Sequence, residues 1–194
     1  MKSGLRILYS SARIQTQIAR MGREISRTYR GQILDAVILL QNAFIFAGDL
    51  VRQISVPVVW HFVRADMQDV ELDGRAQREV FFSERPDLKG CDVLLVDAVL
   101  QSGVTQDFLI RRLSENEPRS LRLAVLFDKP QERKVDLQAD YFGFHAASNH
   151  VMGYGLPGNN GVPRNTPYVA GEQQAGRKKT AAGKRAVRNP RRKR

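Results

Sequence analysis

Along most of the chain, stretches with the apolar spacing of an amphipathic helix alternate with the continuous apolar runs of a buried strand. A first helix is predicted between a cap at Ser10 or Ser11 and an end near Gly31, because one apolar residue recurs in every turn between them. Its inward positions are Ile14, Ile18, Met21 and Ile25. The run Ile33–Leu40 is almost unbroken, which is typical of a strand covered on both faces.

The same alternation continues after the polar pair Gln41–Asn42. A second helix is predicted there, with inward side chains Phe44, Leu50, Val51 and Ile54. The later strands are predicted at Val56–Val63, Val70–Leu72, Glu79–Phe82, Asp92–Val96, Leu121–Phe127 and Tyr141–Phe144. A third helix should end near Leu113, and regular structure should end between Gly153 and Gly161. Strands alternate with helices, so we predict an α/β fold with a mostly parallel central sheet flanked by helices.

Charge divides the chain into a nearly neutral body and a basic tail. Ten of the 31 Lys and Arg residues lie between Arg177 and Arg194 without an acidic residue, so the other 21 nearly balance 20 Asp and Glu. We predict a domain over residues 1–170 and a disordered basic tail over 171–194. The tail has no aromatic side chain, so it could bind RNA or DNA phosphates without reading sequence, or serve only solubility.

The composition also argues against several other classes of protein. One Cys and three His disfavour a disulfide framework and a transition-metal site. The longest apolar stretch, 36–48, is interrupted by Gln41 and Asn42 and falls short of the ~20 residues of a membrane span. Residues 1–31 carry seven basic side chains, as some transit peptides do, but they fit the first element of the fold. We therefore expect a cytoplasmic protein without a membrane partner.

The segment 93–105 has the layout of a phosphate-binding loop. An apolar strand ends in Asp97, and a short loop with Gly103 opens a helix whose N–H groups could hold a phosphate. Ser102 and Thr105 add hydroxyl donors. Taken alone, the segment fits an ordinary strand–helix turn better, because a single glycine is a weak signal.

From about Arg6 to Val169 the sequence resembles the hypoxanthine-guanine phosphoribosyltransferases, which have the type I phosphoribosyltransferase fold with a small hood region. The segments that carry the resemblance are Gly22–Gly31, Phe44–Ile54, Val93–Leu113, Asp128–Pro130, Val151–Leu156 and Arg164–Tyr168. The resemblance implies transfer of a phosphoribosyl group from phosphoribosyl pyrophosphate to a 6-oxopurine, with Mg²⁺.

The resemblance also assigns roles to individual residues. It implies a 5′-phosphate loop at Ser102, Gly103, Val104 and Thr105, with Asp97 on the ribose. It implies purine contacts from Lys129, His150 and Val151, and pyrophosphate-proximal positions at Gln41, Asn42 and Arg164. No catalytic residue is assigned, because Gln101 stands where the family has its general base and an amide cannot take up a proton at neutral pH.

Other departures from the family pattern affect the same chemistry. Ala98 replaces the second ribose acid, Pro157 replaces an Asp that helps to place metal and pyrophosphate, and residues 41–43 lack the expected cation. The mobile loop, Arg64–Gln68, lacks the family's Ser-Tyr pair.

These departures favour a protein that binds a purine nucleoside monophosphate with little or no catalysis, as a regulator or sensor. The alternative is an active salvage enzyme that uses phosphoribosyl pyrophosphate and Mg²⁺, with Asp66, Asp69 or Glu71 replacing the lost carboxylates. A third possibility is an interaction module that binds no nucleotide. The resemblance also implies that the protein is a homo-oligomer.

Overall fold

Two β-sheets and three helices make up the computed structural model, which describes residues 5–72, 75–82, 86–146, 150–158 and 163–172. The helices are α1 (Ser11–Thr28), α2 (Phe44–Val51) and α3 (Val104–Ser114). The strands are β1 (Leu5–Tyr9), β2 (Leu34–Leu40), β3 (Val58–Leu72), β4 (Arg75–Phe82), β5 (Asp92–Leu100), β6 (Ser120–Asp128), β7 (Tyr141–His145), β8 (Val151–Met152) and β9 (Val169–Glu172). A single 3₁₀ turn, Pro130–Glu132, follows β6.

The larger sheet has six strands in the order β4-β3-β2-β5-β6-β7. All neighbouring pairs are parallel except the edge pair of β3 and β4. In β5, Val93 and Leu95 pack with α3, whereas Leu94 and Val96 pack with α1 and α2 on the opposite face. Helices therefore cover both faces of a mostly parallel sheet, which confirms the predicted α/β fold.

The first helix forms where the sequence predicts it. The side chain of Ser10 accepts a hydrogen bond from the backbone N–H of Arg13, and the helix ends at its C-cap, Tyr29. The four predicted inward residues of α1 are fully buried. Residues 34–39 of β2 are buried as well, as the unbroken apolar run predicts.

The prediction of the inward face of α2 was wrong at Phe44. This side chain is 57% exposed, and Phe46 is buried in its place. Leu50 lies on the buried face, and positions three and four residues before it, Ala47 and Phe46, share that face in a helix of 3.6 residues per turn. Phe44 lies six residues before Leu50 and therefore points away from the core.

Three strands are several residues longer than their local patterns indicated, and one of them, β4, begins at Arg75 instead of Glu79. β3 is continuous over Val58–Leu72, although the sequence suggested two separate strands. A register shift between Asp66 and Val70 accommodates the irregular stretch within its pairing to β4. β5 continues past Asp97 to Leu100 because Val99 and Leu100 pair with the last residues of β6.

The expected end of regular structure between Gly153 and Gly161 was also wrong. β9 follows this stretch and pairs antiparallel with both β1 and β8 to form a second sheet, called the hood sheet below. Its two longer strands come from opposite ends of the chain, so no local pattern reveals the pairing. β9 ends at Glu172, so residues 171 and 172, which were predicted to begin the tail, belong to this strand. The rest of the predicted tail lies outside the described residues. Within the described residues, no helix is long and apolar enough to cross a membrane.

The two glycines inside helices give a paired prediction about packing. A Cβ at Gly22 would lie 2.5 Å from the backbone oxygen of Gln53, whereas a Cβ at Gly48 would meet nothing within 4 Å. We expect Gly22→Ala to lower the free energy of unfolding by about 1–3 kcal/mol through overpacking. Gly48→Ala should raise it by about 0.5–1 kcal/mol through helix propensity. Urea unfolding of both variants tests this, and equal effects would contradict it.

Candidate functional site

The carboxyl ends of β2, β5 and β6 meet at one edge of the large sheet, where they border a cavity of about 600 Å³. Ligands of open parallel sheets bind at such an edge. Predicted site residues from four separate parts of the chain line this cavity: Asn42, Asp97, Gln101, Ser102, Thr105, Lys129, His150 and Val151.

The loop before α3 has the geometry of an anion cradle. Gly103 is the N-cap of α3 with a φ of +79°, a conformation that favours glycine. A Cβ there would lie 2.9 Å from Val135 Cγ2. Helix geometry leaves the first-turn N–H groups, which begin at Val104, without intrahelical acceptors. Ser102 and Thr105 line the same cavity, and Ser102 Oγ accepts a hydrogen bond from the Val104 N–H at 3.4 Å.

The segment after β6 holds this loop in place through hydrogen bonds to its backbone carbonyl groups. Arg133 Nη1 donates to the carbonyl oxygen of Gln101 at 2.8 Å, and the N–H of Lys134 donates to that of Ser102 at 2.9 Å. The Arg133 guanidinium also pairs with the buried Asp128 carboxylate. Sequence analysis did not identify this contribution of Arg133, because it depends on the contact between two distant loops.

Asp97 is a buried carboxylate on the cavity wall, with 7% of its surface exposed. Burial raises the pKa of Asp97 to about 6, because the surroundings disfavour the charged form. Hydrogen bonds from Gln106 Nε2 at 2.5 Å and from the N–H of Ala98 at 2.6 Å partly offset this effect. At neutral pH Asp97 is therefore ionised and oriented, with little solvation of its charge.

Gln106 is a site residue that sequence analysis missed. It is buried on the same face of α3 as Leu109 and Leu113. A polar residue at an inward helical position was the available signal, since a buried amide requires a partner.

Gln101 and Lys129 also line the cavity, and they share contacts with Glu132, a carboxylate that sequence analysis missed. Gln101 Nε2 donates to Glu132 Oε2 at 2.5 Å. The other oxygen, Glu132 Oε1, lies 3.6 Å from Lys129 Nζ. Lys129 is 3% exposed, so its charge is buried beside an opposite charge.

The three residues predicted to lie near pyrophosphate do not all face the same cavity. Asn42 lines the main cavity, whereas Gln41 and Arg164 line a neighbouring cavity of about 410 Å³ that also contains the exposed Phe44. Arg164 Nη1 donates to Asn42 Oδ1 at 2.9 Å and to the carbonyl oxygen of Gly155 at 3.0 Å. Arg164 therefore braces the Asn42 loop against the hood.

Asp97 is the one carboxylate among the described residues that line the main cavity. Ala98 is buried away from it, and Pro157 contributes an apolar surface. In the described part of the chain, no three His, Cys, Asp or Glu side chains group closely enough to hold a metal ion. The side chains of residues 65–72, which include Asp66, Asp69 and Glu71, lie outside that part.

The fold and this edge of the sheet define a phosphoribosyltransferase-type α/β protein, and residues 6–157 match the family model of the phosphoribosyl transferase domain. The chain is 35% identical over 156 residues to a hypoxanthine-guanine phosphoribosyltransferase of Mycobacterium avium, covering 77% of each chain. It is 32% identical to a hypoxanthine phosphoribosyltransferase of Salmonella typhimurium, covering 87% of this chain and 96% of the relative.

A solved structure supports the same assignment. A hypoxanthine-guanine phosphoribosyltransferase of Bacillus anthracis superposes with a TM-score of 0.76 at 28% identity, covering 86% of this chain and 97% of that one. The chain belongs to the hypoxanthine-guanine phosphoribosyltransferase family.

The raised pKa of Asp97 predicts a pH-dependent stability effect. Its value of about 6 exceeds the ordinary 3.8, so the ionised carboxylate destabilises the folded state above pH 6 by at most ~3 kcal/mol. This penalty decreases below pH 6 and is absent below about pH 3.8. We expect the effect of Asp97→Asn on the free energy of unfolding to be more favourable at pH 8 than at pH 4 by about 1–3 kcal/mol, because the substitution removes the buried charge that is present only at the higher pH. The single oxygen of the asparagine leaves one of the two donors, Gln106 Nε2 or the Ala98 N–H, without an acceptor at both pH values.

Denaturant unfolding at pH 8, 6 and 4 measures this effect. Asp136→Asn, at an exposed carboxylate, is the matched control and should change stability by less than about 0.5 kcal/mol. A gain from Asp97→Asn that does not vary with pH would contradict the expectation.

Proposed function

We propose that this protein binds a purine nucleoside 5′-monophosphate and transfers phosphoribosyl groups slowly or not at all. The observation that carries the proposal is the placement of the Ser102–Thr105 loop, Asp97 and Lys129 around one cavity. Such a protein responds to the level of a finished nucleotide, which suits a regulator or sensor in the cytoplasm.

The 5′-phosphate belongs at the N-terminus of α3 in this proposal. A phosphate there would accept hydrogen bonds from the first-turn N–H groups and from the hydroxyls of Ser102 and Thr105. The partial positive charge of the helix end adds to this attraction. Gly103 supplies the left-handed turn that begins α3, and its missing side chain lets Val135 and Arg133 pack against the loop.

In this proposal the remaining lining residues bind the ribose and the base. The ionised Asp97 carboxylate can accept hydrogen bonds from ribose hydroxyls above pH 6. Lys129 offers a cationic donor for an exocyclic oxygen, and the backbone of Val151 lies beside the same space. The His150 imidazole can stack on the base.

Few of the side chains that line the same cavity can help to make or break a glycosidic bond. Gln101 cannot act as a base, and its amide already donates to Glu132. Loss of a general acid–base group costs ~10²–10⁴-fold in rate. Loss of one electrostatic stabiliser costs roughly another 10²–10³-fold. Even when they are not additive, these losses leave little turnover.

The second candidate function is active salvage of hypoxanthine or guanine, and family membership favours it. Magnesium usually takes one or two carboxylates together with substrate phosphates. Asp97 could contribute to such a site, and Asp66, Asp69 or Glu71 would have to supply further oxygen atoms. When bound, the metal would neutralise charge on the pyrophosphate leaving group.

Titration calorimetry with IMP, GMP and phosphoribosyl pyrophosphate, with and without Mg²⁺, separates these functions. We expect the monophosphates to bind without a requirement for Mg²⁺. Formation of IMP from hypoxanthine should be at least about 10²-fold slower than the 1–10³ s⁻¹ that is usual for enzymes. Thr105→Val should weaken IMP binding about tenfold or more, because it removes a donor to a charged phosphate.

The control for this variant is Ser114→Ala, which removes a hydroxyl at the other end of α3 and should leave binding unchanged. Metal-dependent binding of phosphoribosyl pyrophosphate with ordinary turnover would establish the salvage enzyme instead. If none of the three compounds binds, the chain keeps the fold as an interaction module.

We further propose that the basic segment Arg177–Arg194 associates with RNA or DNA without sequence preference. Ten cations without an acid give it the charge to displace counterions from several phosphates. Deleting the segment should abolish retention on RNA and DNA columns at low salt, and retention of the full chain should fall steeply as salt rises. Equal retention with and without the segment would refute this proposal.

Family membership also leads us to propose self-association. Sedimentation of the full chain at several concentrations measures it.

A further inference from the structure

The turn after β8 has an unusual backbone conformation and packs closely against the loop before α2. Gly153, Tyr154 and Gly155 all have positive φ values, of +89°, +51° and +87°. Side chains disfavour this left-handed region, so a bulky residue such as Tyr154 adopts it only where the surrounding structure holds it there. A Cβ at Gly155 would lie 3.1 Å from the backbone oxygen of Asn42, so the turn lies directly on that loop.

The side chain of Tyr154 is held by a carboxylate on α2. Tyr154 is 4% exposed, and its hydroxyl donates to Asp49 Oδ2 at 2.5 Å. Gln15 Nε2 on α1 donates to the same oxygen at 2.8 Å, and the Arg52 guanidinium pairs with Oδ1. The carboxylate of Asp49 therefore joins the hood to both helices on one face of the large sheet.

The charge of Asp49 strengthens the hydrogen bond to the hood. Burial opposes ionisation, but the hydrogen bonds from Tyr154, Gln15 and Arg52 outweigh this effect and hold the pKa of Asp49 below its ordinary value. Burial and the adjacent carboxylate raise the pKa of Tyr154, so its hydroxyl keeps its proton. A neutral donor therefore meets an ionised acceptor, and such a bond is stronger than one between two neutral groups.

The residues on either side of this turn belong to the wall of the main cavity. Val151 precedes the turn, Leu156 and Pro157 follow it, and all three line the cavity. Tyr154 and Asp49, both in the described part of the chain, lie outside that lining. A ligand in the cavity would therefore contact the residues that this bond positions, and not the bond itself.

We propose that Asp49 is a positioning residue that holds the hood over a bound nucleotide through the Tyr154 hydroxyl. This inference rests on the proposed nucleotide-binding function. The loop at residues 102–105 lies between β5 and α3, so a phosphate bound there does not depend on the hood. The bond therefore determines how tightly the nucleoside part of the ligand is held, and it leaves the affinity for the phosphate part unchanged.

The size of the effect follows from the fraction of molecules in which the hood is docked on α2. With the bond intact, the hood is already docked when the ligand arrives. Without it, the left-handed conformation of Tyr154 is no longer compensated and the docked fraction falls. The apparent affinity for a ligand that needs the docked hood falls by the same fraction, whereas a ligand that binds both arrangements equally is not affected.

Hydrogen exchange of the ligand-free full chain tests the role of the bond. Tyr154→Phe removes only the hydroxyl, and the amides of β8 and β9 should then exchange about tenfold or more faster, because a charge-assisted hydrogen bond no longer opposes local opening. The amides of β5 should not change. Tyr141→Phe is the matched control: it removes another buried hydroxyl, which accepts from Arg122, and should leave β8 and β9 at the parent rates.

Dissociation constants for IMP and ribose 5-phosphate test the consequence for binding. Ribose 5-phosphate has no base and reports the phosphate and ribose contacts. Tyr154→Phe should weaken IMP about threefold or more, which corresponds to a docked fraction of about one third or less, and ribose 5-phosphate less than about twofold. Asp49→Ala should show the same pattern, and the double variant should bind IMP no more weakly than Asp49→Ala, because either change removes the same bond. Tyr141→Phe should match the parent protein for both probes.

The outcomes separate this inference from the function on which it rests. If the parent protein binds neither IMP nor ribose 5-phosphate, the proposed function is overturned and this inference with it. If β8 and β9 exchange at the parent rates in Tyr154→Phe, only the inference is overturned. The same holds if Tyr154→Phe leaves the affinity for IMP unchanged, or weakens IMP and ribose 5-phosphate by the same factor, since the latter result indicates a general structural role.

Discussion

The Asp97 carboxylate lies at the centre of a parallel sheet with almost no contact with water, and the candidate site depends on the way its charge is held. Desolvation raises its pKa to about 6, while Gln106 and the Ala98 N–H keep it oriented towards the cavity. A neutral isostere would cost the folded state less. Retention of a destabilising charge at this position is physically consistent with a group that serves a ligand.

A second constraint is the support that the segment after β6 gives to the loop at residues 101–103. Gly103 gives the loop its left-handed conformation, and its missing side chain leaves room for Val135 and Arg133. Arg133 and the backbone of Lys134 donate hydrogen bonds to two carbonyl groups of this loop. The same segment carries Glu132, which contacts Gln101 and Lys129 at the cavity.

The side chains that line the candidate site are held by neighbours on β6, the 3₁₀ turn after it and α3. Gln101 takes part in these contacts through Glu132. The loop before α3 and Lys129 are therefore connected by one short segment of the chain, residues 128–134.

Local sequence patterns predicted most of the central domain because its elements are fixed by their own periodicity. The inward face of α1 and the doubly covered β2 follow directly from the spacing of apolar residues. The burial of Phe46 instead of Phe44 depended on the first residue of α2, which a stretch of consecutive apolar residues does not define. The resemblance implied a small hood region, but local patterns did not show its sheet, because β1 and β9 are short strands that pair across the length of the chain.

The sequence by itself determined the α/β fold and the family, because the apolar spacing of each element and the family's motifs depend on residue type over a few positions. Only the tertiary structure decided that Gln106 holds Asp97, that Glu132 joins Gln101 to Lys129, and that Arg164 braces Asn42 beside a second cavity. These are contacts between segments far apart in the chain. Their hydrogen bonds depend on the direction of side chains that no local pattern specifies.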